Sequence, residues 1–144
     1  MTPPSVLRQR HLDWFAAASG DLNPLHVDAA FARRTSYGRT IAQGALGAVL
    51  ALRAIDGATL RRTRTLCLRF AHPIRPDEQL HTSAAPTANG GLVATLETQG
   101  RVAVRVLVTA DAEACLADLE PVEARGRDRP RAVATPGLYR LQVG

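Results

Sequence analysis

The chain has 144 residues, 46% of them apolar and 22% charged, enough for one core that buries roughly 70% of the surface exposed on unfolding; disorder over the whole length is excluded. All 18 basic residues are Arg, and the net charge is +5, yet Arg125, Arg127, Arg129 and Arg131 sit in one Pro- and Gly-rich stretch and the six aromatics are scattered, so nucleic acid is not the expected partner. Positive charge of this kind suits a phosphate-bearing ligand or an acidic partner protein instead.

Ser5–Arg8 reads as a short strand and His11–Ser19 as a helix that presents Leu12, Phe15 and Ala16 on one face. Gly20 ends that helix. Asn23 and Pro24 make the following segment a loop, and Val27–Thr35 reads as a short helix around Phe31. From Gln43 to about Ile55 the side chains are apolar around nearly the whole circumference, which predicts a helix buried on most sides. After Gly57 the period changes to two: Leu66, Leu68 and Phe70 alternate with Thr65, Cys67 and Arg69, giving a strand. Gln79–Thr87 is a further strand. Leu92–Thr98 and Arg101–Thr109 form a hairpin through Gln99-Gly100, with Val102, Val104, Val106 and Val108 on one face. Beyond Asp111 no clear period remains, although Leu138–Val143 reads as a terminal strand. Helices followed by antiparallel strands predict an α+β fold wrapped on a central apolar helix.

Cys67 and Cys115 lack metal or redox spacing, and the apolar run around Cys67 predicts a reduced core thiol. Met1–Asp13 contains no apolar leader core, and Ile41–Leu52 is too short to span a bilayer. A soluble cytoplasmic protein without a membrane anchor is expected.

One segment concentrates chemistry: Ser19-Gly20-Asp21-Leu22-Asn23-Pro24-Leu25-His26-Val27-Asp28. A carboxylate and an imidazole five residues apart, on a proline-stiffened bend after a helix, are able to converge on one small molecule such as water. An imidazole near its ordinary pKa of about 6.5 takes or gives a proton at neutral pH. The spacing alone equally allows Asp21 to be a helix cap and His26 a surface residue. Asp28 reads as the cap of the Phe31 helix. His11, His72 and His81 have no partner spacing.

The run Phe15 to Asp28, with its Asp21-x-Asn23-Pro24-x-His26 core, resembles the signature of the MaoC-like (R)-specific enoyl-CoA hydratases and dehydratases. Tyr37-Gly38-Arg39-Thr40-Ile41-Ala42-Gln43-Gly44-Ala45-Leu46 resembles that family's lead into its central helix. Leu68 to Leu80 resembles the place where its sheet begins. The resemblance covers about residues 5–110 and implies a single hot-dog domain over residues 1–111, leaving 112–144 as an extension.

By that resemblance, Asp21 and His26 activate the water that adds to carbon 3 of a trans-2-enoyl thioester, or expel it in reverse. The amide of Gly44 would polarise the thioester carbonyl, as the first N–H of a helix is suited to do. Asn23, Tyr37 and Gln43 are carried as substrate-side candidates, with Asn23 expected mainly to fix the loop. Arg61 and Arg62, beside Arg64, are carried for CoA phosphates or an acidic carrier protein. No metal or other cofactor is implied. The expected partners are an acyl-CoA or acyl-carrier-protein thioester and a second hot-dog, as homodimer or heterodimer.

The sequence departs from the family at Gln43, where His is usual, at Ala45, where Met is frequent, and at Ala51-Leu52-Arg53, where many members place a Ser. Two other readings follow: a non-catalytic hot-dog subunit or acyl-binding module, and a thioesterase. The thioesterases of this fold usually carry a helix carboxylate, and Gln43–Ile55 contains none.

Overall fold

The computed structural model describes residues 5–110 with side chains and the backbone of 139–142. The elements are β1 (Ser5–Val6), α1 (Gln9–Ser19), α2 (Pro24–Val27), α3 (Ala29–Arg33), α4 (Gly44–Leu52), α5 (Gly57–Arg62), β2 (Thr65–Phe70), β3 (Gln79–Pro86), β4 (Leu92–Thr98), β5 (Arg101–Thr109) and β6 (Tyr139–Gln142). The strands form one antiparallel sheet in the order β1-β3-β4-β5-β2-β6.

The sheet wraps on α4. Leu68, Leu96, Val104, Val106 and Val108 join Leu46, Ala48 and Ala51 of the helix in one core. Gly47 permits the approach: a Cβ there would lie 3.0 Å from both Ile74 Cδ1 and Val104 Cγ2. Burial around α4 is incomplete, contrary to the all-round apolar pattern, because Gly44 and Ala45 face outward and Val49 is 53% exposed.

Three local expectations change. Pro24–Val27 is a helical turn rather than loop, because Pro24 takes the first helical position and the Asn23 carboxamide accepts from Leu25 N at 3.0 Å. Gly57–Arg62 is helical because Asp56 caps it, accepting from Ala58 N and Thr59 N at 2.9 Å. The valine face of β5 breaks at Val102. Leu96 pairs with Val104 but Glu97 pairs with Val102, so Ala103 is the extra residue of a bulge. The Ala103 carbonyl accepts from Ala71 N at 2.9 Å and His72 N at 3.3 Å, which ties the end of β2 to the bulge.

Cys67 is fully buried with Leu107 on the sheet face away from α4. It is disulfide-bonded, not the free thiol expected. An apolar neighbourhood determines burial, and burial leaves the oxidation state open. Among the described residues no helix is long and apolar enough to cross a membrane. Of the extension from 112, only the backbone of β6 is described, and it joins the domain's own sheet.

Glu78 fastens one end of the sheet. Its carboxylate is buried and accepts from Thr98 Oγ1 at 2.9 Å, Gln99 Nε2 at 2.8 Å and Arg75 N at 3.2 Å. Removing it strands three donors. Glu78→Ala should therefore cost about 3 kcal/mol, read as a lower midpoint in urea unfolding.

Candidate active site

Asp21, Asn23 and His26 are placed by the passage from α1 into α2. Gly20 ends α1 in a left-handed conformation, φ 76°, and its N–H reaches the Ala16 carbonyl at 2.9 Å. The chain then turns through Asp21, whose Oδ1 accepts from Asn23 N at 3.4 Å. Asn23 caps α2, its side chain accepting from Leu25 N. Asp28 closes α2 and caps α3, accepting from Ala30 N at 2.8 Å and Phe31 N at 3.0 Å. The Phe31 and Ala30 amides hold the Asp28 carboxyl below the ordinary carboxylate range.

His26 points inward from α2, with its side chain only 11% exposed. Its Nδ1 lies 2.8 Å from the Ile41 carbonyl oxygen. A carbonyl only accepts, so Nδ1 carries the proton, and the neutral ring keeps a lone pair on Nε2. Nε2 faces Asp21 Oδ2 at 3.7 Å, and that carboxylate is 46% exposed. The separation is too long for a direct hydrogen bond. It suits a water seated beside the pair and hydrogen-bonded to both, at their solvent-facing end.

The backing of His26 includes residues that no motif marked. Gln9 Nε2 donates to the His26 carbonyl at 2.8 Å and to Asp13 Oδ1 at 2.9 Å, while its Oε1 accepts from Thr40 Oγ1 at 2.6 Å. Segment 40–43 is pinned in turn: Ile41 N reaches the Leu25 carbonyl at 3.4 Å and Ala42 N the Ile74 carbonyl at 2.8 Å. Gln9 reads in sequence as an ordinary polar residue opening a helix, and the Ile41 carbonyl has no side-chain signature at all.

Gln43 lies at the start of α4, 1% exposed, and its Nε2 donates to the Leu12 carbonyl at 3.1 Å. Its Oε1 is buried without a partner among the described residues. Gln43 thus anchors the first turn of α4 to α1. Among the described residues the amides of Gly44, Ala45 and Leu46 find no acceptor, and the first helical bond is Gly47 N to the Gln43 carbonyl at 3.1 Å. These donors and the positive end of the helix favour negative charge. The ring of Phe70 packs against Gly44, where a Cβ would lie 3.1 Å from Cε1.

Asp21, Asn23 and His26 therefore share one bend, and the Ile41 carbonyl joins them to the strand-like lead into Gly44. Tyr37 N donates to Thr35 Oγ1 at 3.3 Å, and among the described residues no hydrogen bond ties Tyr37 to this group. Arg61 and Arg62 lie in the last turn of α5, beyond the C-terminal end of α4. Gly44 opens the nine residues of α4, so the helix length of about 13 Å separates its amide from the arginine end within one chain. Among the described residues no cluster of His, Cys, Asp and Glu forms a metal centre.

Residues 2–111 match the family model described as MaoC like domain. The fold is similar to that of the unliganded R-hydratase PhaJ1 from Pseudomonas aeruginosa, with 30% identity, a TM-score of 0.60 and 74% of each chain covered. An (R)-hydratase from A. caviae involved in PHA biosynthesis is 27% identical, with a TM-score of 0.56 over 74% of this chain and 88% of that one. HtdX of Mycobacterium tuberculosis matches in fold, at 23% identity and a TM-score of 0.63 over 74% of this chain and 46% of that one. No curated protein sequence matches the chain. The similarity establishes the α+β hot-dog architecture.

Proposed function

Because the chain belongs to the MaoC-like dehydratase domain family, we propose that it hydrates trans-2-enoyl thioesters to (R)-3-hydroxyacyl thioesters, or runs the reverse dehydration. The observation that carries this reading is the orientation of His26. Its Nδ1 is committed to the Ile41 carbonyl, and its Nε2 looks at Asp21 across 3.7 Å. A water seated beside the pair is within hydrogen-bonding reach of the base and of the carboxylate together.

In the hydration direction, His26 Nε2 accepts a proton as the water oxygen bonds to carbon 3. Charge develops on the thioester oxygen, and the Gly44 amide stabilises it. The Asp21–His26 pair returns the proton to carbon 2, so the elements of one water are added and nothing else is consumed. Dehydration retraces the path: the pair removes the carbon 2 proton and protonates the departing hydroxyl. (R)-hydratases among the structural neighbours support the stereochemistry.

The acyl group needs apolar walls, and α4 leaves Gly44, Ala45 and Val49 outward. A second hot-dog over that face, from another copy or another subunit, would enclose the chain of a CoA or carrier-protein thioester.

The test is hydration of crotonyl-CoA, followed as loss of conjugated-thioester absorbance, with chiral analysis of the product. Formation of the (R)-alcohol is expected. Release of free thiol would replace this reading with a thioesterase. Binding of CoA and carrier-protein thioesters without turnover would replace it with the non-catalytic module, which Gln43 and the Ala51-Leu52-Arg53 segment favour.

A further inference from the structure

The carbonyls of α2 are completed largely from outside the helix, because α2 is a single turn of four residues. Within the turn, the Pro24 carbonyl accepts from Asp28 N at 2.9 Å. The amide of Ala30, which would reach the His26 carbonyl in a longer helix, is taken by Asp28 Oδ1 at 2.8 Å. The His26 carbonyl therefore needs a donor from elsewhere. Gln9 supplies it from 17 residues away, through Nε2 at 2.8 Å. The Leu25 carbonyl is met by Ile41 N at 3.4 Å.

The Gln9 carboxamide is fully used, and in one orientation only. The Asp13 carboxylate and the His26 carbonyl accept but do not donate, so both N–H groups of Nε2 face them, at 2.9 and 2.8 Å. Oε1 is left to accept from the Thr40 hydroxyl at 2.6 Å. Gln9 opens α1, and Asp13 lies one turn further on the same face. Thr40 is only 6% exposed, so water has little access to replace its bond. One side chain thus grips two backbone segments, the α2 turn at residue 26 and the lead into α4 at residue 40. The imidazole of His26 spans the same two segments, since its Nδ1 donates to the Ile41 carbonyl at 2.8 Å. The other end of the lead is held by the same helix, through Gln43 Nε2 on the Leu12 carbonyl at 3.1 Å.

We infer that Gln9 is a positioning residue for His26, with Thr40 as its second anchor: the carboxamide fixes the spacing between the α2 turn and the Ile41 carbonyl, and so keeps the ring proton on Nδ1 and the lone pair on Nε2. A bond from Nδ1 to one carbonyl orients the ring only while that carbonyl stays in place. The direct tie between the segments, Ile41 N to the Leu25 carbonyl, is long at 3.4 Å. The bridge through Gln9 is short at both ends. Without it the segments are free to part, the ring loses its fixed acceptor, and both neutral tautomers become populated. Gln9 bonds the His26 carbonyl and not the ring, so it acts through His26. The kinetic consequence rests on the hydratase reading, whereas the tautomer does not.

The experiment compares Gln9→Met, Thr40→Val and Thr40→Ser with the unsubstituted chain. Methionine keeps the length and helix propensity of glutamine but removes its amide. Valine keeps the shape of threonine without the hydroxyl, and serine keeps the hydroxyl. Folding is checked by circular dichroism. The first readout is the His26 tautomer, from nitrogen-15 NMR of the neutral imidazole at alkaline pH, assigned with His26→Asn. The unsubstituted chain and Thr40→Ser should show the Nδ1–H form alone, and Gln9→Met and Thr40→Val a mixture. The second readout is crotonyl-CoA hydration. In Gln9→Met kcat should fall about ten- to a hundredfold, and in Thr40→Val by less, with KM within about twofold of the parent, because a misplaced base costs rate and not ground-state binding. A folded Gln9→Met that keeps the parental tautomer, or that turns over at the parental kcat, overturns the inference, even if its melting temperature is lower. Should Gln9→Met fail to fold, Thr40→Val decides by the same two readouts. An unsubstituted chain without turnover counts against the hydratase reading alone, and the tautomer then decides the role of Gln9.

Discussion

Replacing His26 by asparagine should lower kcat/KM for enoyl-thioester hydration about a thousandfold, within the range that a positioned acid–base group contributes. Asparagine places an amide N–H near the position of Nδ1, so the bond to the Ile41 carbonyl survives while the Nε2 lone pair is lost. The melting temperature should therefore shift little. Asp21→Asn keeps the shape of the carboxylate and its acceptance from Asn23 N, but removes its charge and proton affinity. A comparable loss is expected. Since both groups act on one water, the double variant should be hardly worse than either single one. Losses that multiply in the double variant would show two independent roles. A His26→Asn enzyme within tenfold of the parent would remove His26 from the chemistry.

Gly44→Pro, measured against Gly44→Ala, should isolate the contribution of a single amide. Both substitutions add a Cβ that meets the Phe70 ring at 3.1 Å, so both carry the same steric penalty of about 1 kcal/mol or somewhat more. Only proline also removes the N–H. The position tolerates proline otherwise, since it is the first residue of α4 and Gln43 before it has φ −58° and ψ 139°, the extended conformation a pre-proline residue prefers. If that amide faces the developing oxyanion, kcat should fall a further hundredfold or more from alanine to proline. Equal rates for the two variants would transfer the donor role to Ala45 or Leu46.

The placement of Gln43 bears on the same helix. Where relatives usually carry His, this chain has an amide that holds Leu12 of α1 and leaves Oε1 buried without a partner. In the proposed mechanism no titrating group is needed there. What is needed is a fixed first turn of α4, and an amide donor supplies that.

The order and type of the main elements follow from local residue pattern. Period two in β2, β4 and β5 and the unbroken apolar run of α4 are local patterns, set by which side chains must leave water. The Asp21-Asn23-Pro24-His26 bend was equally readable, because capping and proline geometry act within a few residues. The helical turns at Pro24 and Gly57 are too short to show a period; each depends on one capping side chain, Asn23 or Asp56. The tertiary structure alone decided what lies between distant residues. His26 meets the Ile41 carbonyl and Gln9 meets Thr40 because packed elements bring them together, and backbone acceptors leave no mark in a sequence. The bulge at Ala103 and the pairing of β6 with β2 were hidden for the same reason. Strand partners are chosen by long-range burial and register, which residue order constrains only weakly.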